Sequence, residues 1–130
     1  MKLIVRNSLP EPIYAQIIAQ VEAQVLDGSL PEGSPLPSIR SLARELGVSI
    51  ITTKRAYEDL ERAGLVDTVA GKGSFVARLA GRRDSLRQKG LMELLRPPAE
   101  AAVRLGVAPE ELSTMLTEAY KEALDERARG

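Results

Sequence analysis

The chain is expected to be mainly α-helical with a small β-wing: a winged helix-turn-helix over residues 1–80, then a helical tail over 81–130. Three observations predict this. Two short amphipathic segments, Pro37–Leu46 and Ile50–Ala63, are separated only by Gly47-Val48-Ser49. Two strand-like runs follow, joined by Ala70-Gly71-Lys72-Gly73. Near the C-terminus an apolar stripe recurs at helical spacing from Leu112 to Leu124.

In chain order, Met1–Val5 reads as a short strand, and Arg6 and Asn7 lead to a turn. A first helix should begin at about Pro12, since proline suits a first helical turn. Ile13, Ile17, Ile18, Val21 and Val25 give it one buried stripe, and Asp27-Gly28 ends it. Leu30–Pro37 is a turn-rich connection whose glycines and prolines read as structural.

Ile39, Leu42, Ala43 and Leu46 then repeat at helical spacing. Gly47 stops that helix, because glycine accepts the left-handed conformation common just past a helix end. Ser49 can cap the next helix by bonding a free backbone N–H. Two helices around a short Gly-containing turn form the helix-turn-helix pattern, whose second helix enters a major groove. On that second helix Thr53, Ala56, Leu60 and Ala63 should pack inward, leaving Thr52, Lys54, Arg55 and Asp59 outside. Hydroxyl, ammonium and guanidinium groups near a helix start are those that bond phosphates and base edges. Gly64 ends the helix, and Leu65–Val69 and Ser74–Ala77 read as the two strands of a hairpin with Lys72 at its tip.

These residues resemble the DNA-binding domain of GntR-family transcriptional regulators. The matching stretches are Leu36-Pro37-Ser38-x-Arg40-x-Leu42-Ala43, Gly47-Val48-Ser49, Arg55-Ala56-Tyr57-x-x-Leu60, Gly64-Leu65 and Gly71-Lys72-Gly73-Ser74-Phe75-Val76, within roughly residues 10 to 78. The resemblance implies that Ser38, Arg40, Ser49, Thr52, Lys54, Arg55, Tyr57, Gly71, Lys72 and Gly73 touch or position a double-stranded DNA operator. The family often carries Pro-Asn or another polar pair where this chain has Ile50-Ile51. The contact left to those side chains is apolar, such as one to a thymine methyl.

After Ala80 the character changes. Gly81–Ser85 reads as a polar linker, and Leu86, Leu91, Leu94 and Leu95 suggest a short helix. Pro97-Pro98 should break or kink it, because each proline lacks an N–H and its ring clashes with the preceding turn. Arg96 should also be pushed from helical geometry. A second piece from about Pro98 to Leu105 should end near Gly106. Pro109 opens a last helix, with Glu110 and Glu111 in its first turn matching the dipole. Its stripe is Leu112, Met115, Leu116, Ala119, Tyr120, Ala123 and Leu124. A tail of this length is expected to be too short for a separate small-molecule domain, and a small-molecule effector stays unnamed. It looks like the tail of the YtrA subfamily, which implies a homodimer built on Leu91, Leu94, Leu95, Leu112, Met115, Leu116, Ala119, Tyr120 and Ala123. The alternative at this point is that the stripe packs on its own winged helix in a monomer.

Composition narrows the function classes. The 130 residues suffice for one domain and an appendage, with 44% hydrophobic but only 3% aromatic residues, so the core is aliphatic. Cys and His are both absent. No disulfide framework can form, the chain fits a reducing cytoplasm, and metal sites and Ser–His or Cys–His catalysis lose their usual residues. No cofactor, metal, enzymatic activity or membrane association is therefore expected. Residues 2–5 are too short for a signal peptide, and no run approaches a membrane span. Glycines 71 and 73 lack the spacing and following helix of a nucleotide-binding loop.

The formal net charge is zero, from 18 basic and 18 acidic residues, whereas DNA binders usually show a basic footprint. Local charge restores one: Arg40, Arg44, Lys54 and Arg55 face only Glu45 before Glu58 is reached. The function expected is therefore a homodimeric repressor on an inverted-repeat operator, which the subfamily resemblance links to transporter operons. The alternatives are a winged helix used only for protein contacts, and an enzyme built on the Glu58/Glu61 carboxylates, for which nothing in the sequence suggests desolvation.

Overall fold

In the computed structural model, which describes residues 1–130, seven elements follow one another: α1 (Ile13–Leu26), α2 (Ile39–Leu46), α3 (Ile50–Arg62), β1 (Val66–Val69), β2 (Gly73–Val76), α4 (Arg83–Leu105) and α5 (Pro109–Arg129). They fall into two compact units, Met1–Arg87 and Gln88–Gly130.

In the first unit, α1 and α2 both pack on α3. Ile17, Val21 and Val25 of α1 meet Leu42 of α2, Ala56, Tyr57 and Leu60 of α3, and Leu65, Val66, Val76 and Leu79 around the hairpin. Each fully buried aliphatic side chain contributes about 1.5–3 kcal/mol over its exposed state. Of the four α3 residues expected inside, Thr53, Ala56 and Leu60 are buried. Ala63 is exposed, because the helix has already ended and Ala63 is its C-cap.

The caps define the helix-turn-helix. Ser38 Oγ accepts the Ser41 N–H at 3.0 Å, and Ser49 Oγ accepts the Thr52 N–H at 3.0 Å. Between them Gly47 takes φ +69°, a conformation that costs a side chain strain, and Val48 N–H closes back on Ala43 O at 3.0 Å. The turn is thus written in three residues, with each cap worth about 1 kcal/mol.

β1 and β2 pair antiparallel, Val66 opposite Val76 at the buried base and Val69 opposite Gly73 at the exposed tip. The connection read as turn-rich supplies a third edge. Pro35 lies opposite Phe75, with Leu36 N–H bonded to Ser74 O at 2.9 Å and Val76 N–H to Ser34 O at 2.8 Å. Proline fits there because neither bond of the pair needs its missing N–H.

Three expectations are corrected. Met1–Val5 is not a strand: no strand lies beside it, and its peptide groups bond instead to a glutamine ladder on α1. Gln20 exchanges two bonds with Ile4, accepting at 2.9 Å and donating at 2.6 Å. Gln16 does the same with Arg6 at 2.8 Å each, and Gln24 donates to Lys2 O at 2.8 Å. The side-chain amide carries one donor face and one acceptor face, as a peptide does. The polar linker is shorter than expected. α4 already begins at Arg83, where Asp84 suits the helix dipole and Leu86 packs on the core of the first unit.

The third correction concerns Pro97-Pro98. The expected break and the expected second piece are absent: α4 continues through both as one helix of 23 residues, Arg96 included. Proline's fixed φ is itself helical. The carbonyls of Glu93 and Leu94, deprived of their N–H partners, belong to exposed residues that water can reach.

In the second unit, α4 ends at a turn through Gly106, where Val107 N–H bonds to Ala102 O at 2.9 Å, and α5 starts with Pro109 in its first turn. Pro98, Ala101, Ala102, Leu105, Val107, Leu112 and Met115 line a shallow apolar groove. α5 has no buried residue. No helix is long and apolar enough to cross a membrane.

Candidate nucleic-acid interface

α3 sorts its residues by the helical period. Thr53, Ala56, Tyr57 and Leu60 share its buried face. At 100° per residue the opposite side is centred on Ile51, Arg55, Glu58 and Arg62, with Lys54 and Thr52 flanking. Basic and hydroxyl groups occupy the first turn and a half. Beyond it come Glu58 and the Asp59–Arg62 ion pair, so only the N-terminal part of α3 presents an uninterrupted surface for an anion. Macrodipole and exposed N–H groups favour negative charge at the same end.

Each expected residue has a definite place. Ser38 and Ser49 spend their Oγ acceptors on the caps of α2 and α3. Ser49 also donates its hydroxyl proton to Thr52 Oγ1 at 2.8 Å, which leaves the Thr52 proton for an outside acceptor. Lys54 and Arg40 are exposed. Arg55 reaches back from α3 so that its guanidinium lies 3.7 Å from the centre of the Tyr14 ring on α1. The stack fixes the plane of the fork while its edge still offers N–H donors. Lys72 is at the hairpin tip. There its N–H closes on Val69 O at 2.9 Å, and Gly71 at φ +76° gives the pattern of a type II turn. Thr68 donates to the Glu61 carboxylate, tying the hairpin to α3.

Tyr57 differs from the rest of the set. It is buried in the core, and its hydroxyl donates to Pro37 O at 2.7 Å. It offers nothing to an outside ligand; its role is to hold α3 against the N-terminus of α2, beside the Ser38 cap. The sequence reasoning missed Tyr14, although it stands on the first turn of α1 at the centre of the stripe of Ile13, Ile17, Ile18, Val21 and Val25, and packs partly against the core.

Burial pushes the Tyr57 hydroxyl up to about 12, and the Glu45 carboxylate adds to the rise. The unfolded chain releases this proton near 10.0, before the folded one does. Its contribution to stability is therefore complete below that pH and declines as pH climbs towards about 12. Tyr57→Phe should cost about 1 kcal/mol at neutral pH, one net hydrogen bond, and should flatten the alkaline loss. Urea denaturation of both proteins at neutral pH and at about pH 11 checks this.

Comparison with known proteins gives a consistent result. Residues 13–76 match the family described as "Bacterial regulatory proteins, gntR family". Among curated relatives, the uncharacterized HTH-type transcriptional regulator YhcF of Bacillus subtilis is 35% identical over 102 residues, 78% of this chain and 84% of that protein. The HTH-type transcriptional repressor YtrA of the same organism is 39% identical over 69 residues, 53% of each chain. Among solved structures, a GntR family transcriptional regulator from Listeria monocytogenes superposes with a TM-score of 0.76 at 27% identity, covering 88% of this chain and 98% of that one. The DNA-binding domain of AraR in complex with operator ORX1 gives 0.52 at 29% identity, covering 59% and 96%.

Proposed function

The chain belongs to the gntR family of bacterial regulatory proteins, and from that premise we propose that it is a sequence-specific DNA-binding repressor acting as a homodimer on an inverted-repeat operator. One observation carries the reading. The first turn and a half of α3 is the one outward helical surface in the first unit that joins a free hydroxyl, an ammonium and an oriented guanidinium without an acid among them.

In this reading the N-terminal part of α3 enters the major groove, Thr52, Lys54 and Arg55 meet base edges and phosphates, and Arg40 and Lys72 grip the flanking backbone. Ser38, Ser49, Tyr57, Gly71 and Gly73 position these groups and make no base contact of their own. The AraR complex with its operator supports DNA as the ligand, and YtrA's name supports repression. The second unit pairs two copies through the α5 stripe with Leu91, Leu94 and Leu95. A two-fold pair implies an inverted repeat, with half-sites about 34 Å apart or a multiple of it. The regulated genes in this reading include a transporter operon, and the protein works in the cytoplasm as a regulator rather than an enzyme.

The test is salt-dependent binding to the DNA upstream of its own gene. Lys72→Ala should weaken binding to every sequence alike and lower the slope of log affinity against log salt by about one. A slope unchanged by Lys72→Ala would remove the hairpin tip from the interface. A wild-type protein that shifts no DNA would favour a winged helix serving an acidic protein partner.

A further inference from the structure

At the centre of the outward face of α3, directly opposite its buried side, stands an apolar residue. Ile51 is 82% exposed, far more than Ile50 at 44%. Its neighbours one turn on are Lys54 and Arg55, and Thr52 with its free proton is next in sequence. A large β-branched side chain there gains nothing from the fold: no core residue touches it, and the helix start is already secured by the Ser49 cap. The surrounding cations fit a polyanion, so the ligand that covers Ile51 must combine phosphates with an apolar group at the depth a first-turn side chain reaches. In a major groove only one base-pair feature is apolar, the C5-methyl of thymine.

We propose that Ile51 is a specificity-determining residue that reads a thymine methyl in each half-site of the operator. The inference rests on the reading of α3 as the major-groove helix and deepens it by naming one base. Burying the methyl against Ile51 removes both from water, whereas cytosine, at the same place in the groove, presents a bare C5 edge and an N4 donor with no acceptor to meet.

The experiment begins by selecting duplexes with the wild-type protein from a randomised pool. Each thymine of the selected duplex is then replaced in turn by deoxyuridine, which deletes only the methyl and keeps every hydrogen bond. At one thymine per half-site the replacement should weaken wild-type binding about fourfold, the value of one buried methyl group. Ile51→Ala, exposed and distant from the core, should keep its fold, bind more weakly, and show no difference between thymine and deoxyuridine there. If the pool yields a defined duplex but no thymine whose methyl matters more to wild type than to Ile51→Ala, the proposal is overturned while the DNA-binding reading stands. If the pool yields no enriched sequence, the DNA-binding reading falls and takes this proposal with it.

Discussion

Leu116→Asp is expected to give a folded monomer whose affinity for its operator is lower by orders of magnitude. The reason begins in α5, which is 21 residues long and buries none of them. Helices in proteins draw most of their stability from packing an apolar face, and isolated ones are marginal in water. Yet Met115, Leu116, Tyr120 and Leu124 are each half or more exposed, at spacings of one, four and four residues along one face. A second copy can cover such a stripe with the same stripe, so each substitution counts twice. A carboxylate at the middle of that seam would face its own symmetry mate in a desolvated contact, which costs far more than the lost leucine contacts. The first unit should be untouched, since Leu116 lies outside its core. In the proposed dimer, losing the partner turns a two-site attachment into a one-site one, and linkage of this kind is worth a factor of roughly 100 to 10,000. Sedimentation equilibrium and circular dichroism check the two halves of the statement. A Leu116→Asp protein that still sediments as a dimer would move the interface to another surface, such as α1.

The second large effect is expected from the double variant Arg40→Ala with Arg55→Ala. Arg55 is held by its stack on Tyr14, so its donors are oriented before any ligand arrives, and little entropy is lost on binding. An arginine that reads a base is worth roughly 1–3 kcal/mol, and its loss relaxes preference at that base pair. Arg40, exposed on α2, meets the backbone in the proposed interface. Its loss should weaken all sequences and reduce the salt slope by about one. Neither side chain belongs to the core, so the fold should survive both changes.

Sequence reading succeeded where backbone punctuation is local. Gly47 and Ser49 act on groups three to five residues away, so the helix-turn-helix could be drawn from the chain itself, and the structure places the left-handed turn and the cap at those residues; the matching cap by Ser38 was not read. It failed where the partner is distant or chemically unlike what it replaces. The N-terminal arm has strand-like residues, but its partner is a row of glutamine amides up to 22 positions away, and no pattern within Met1–Val5 signals that. The edge at Pro35 was hidden because proline usually ends a strand, although at this register its missing N–H is not needed. At Pro97-Pro98 the expected break does not occur for the converse reason: the missing donors cost little where the freed carbonyls face water, so the helix continues through both prolines. At the candidate interface, residue types and face were readable, but the stack of Arg55 on Tyr14 and the burial of Tyr57 depend on where α1 and α2 lie against α3.

The central claim is that the first turns of α3 read DNA sequence. It is tested most directly by the ratio of affinities for the selected duplex and a scrambled one, measured at the same salt for wild type and for Arg40→Ala/Arg55→Ala. Wild type should prefer the selected duplex by about a thousandfold or more, as specific binders do, and the double variant should lose much of that ratio along with absolute affinity. A folded double variant with unchanged affinity and ratio would contradict the claim.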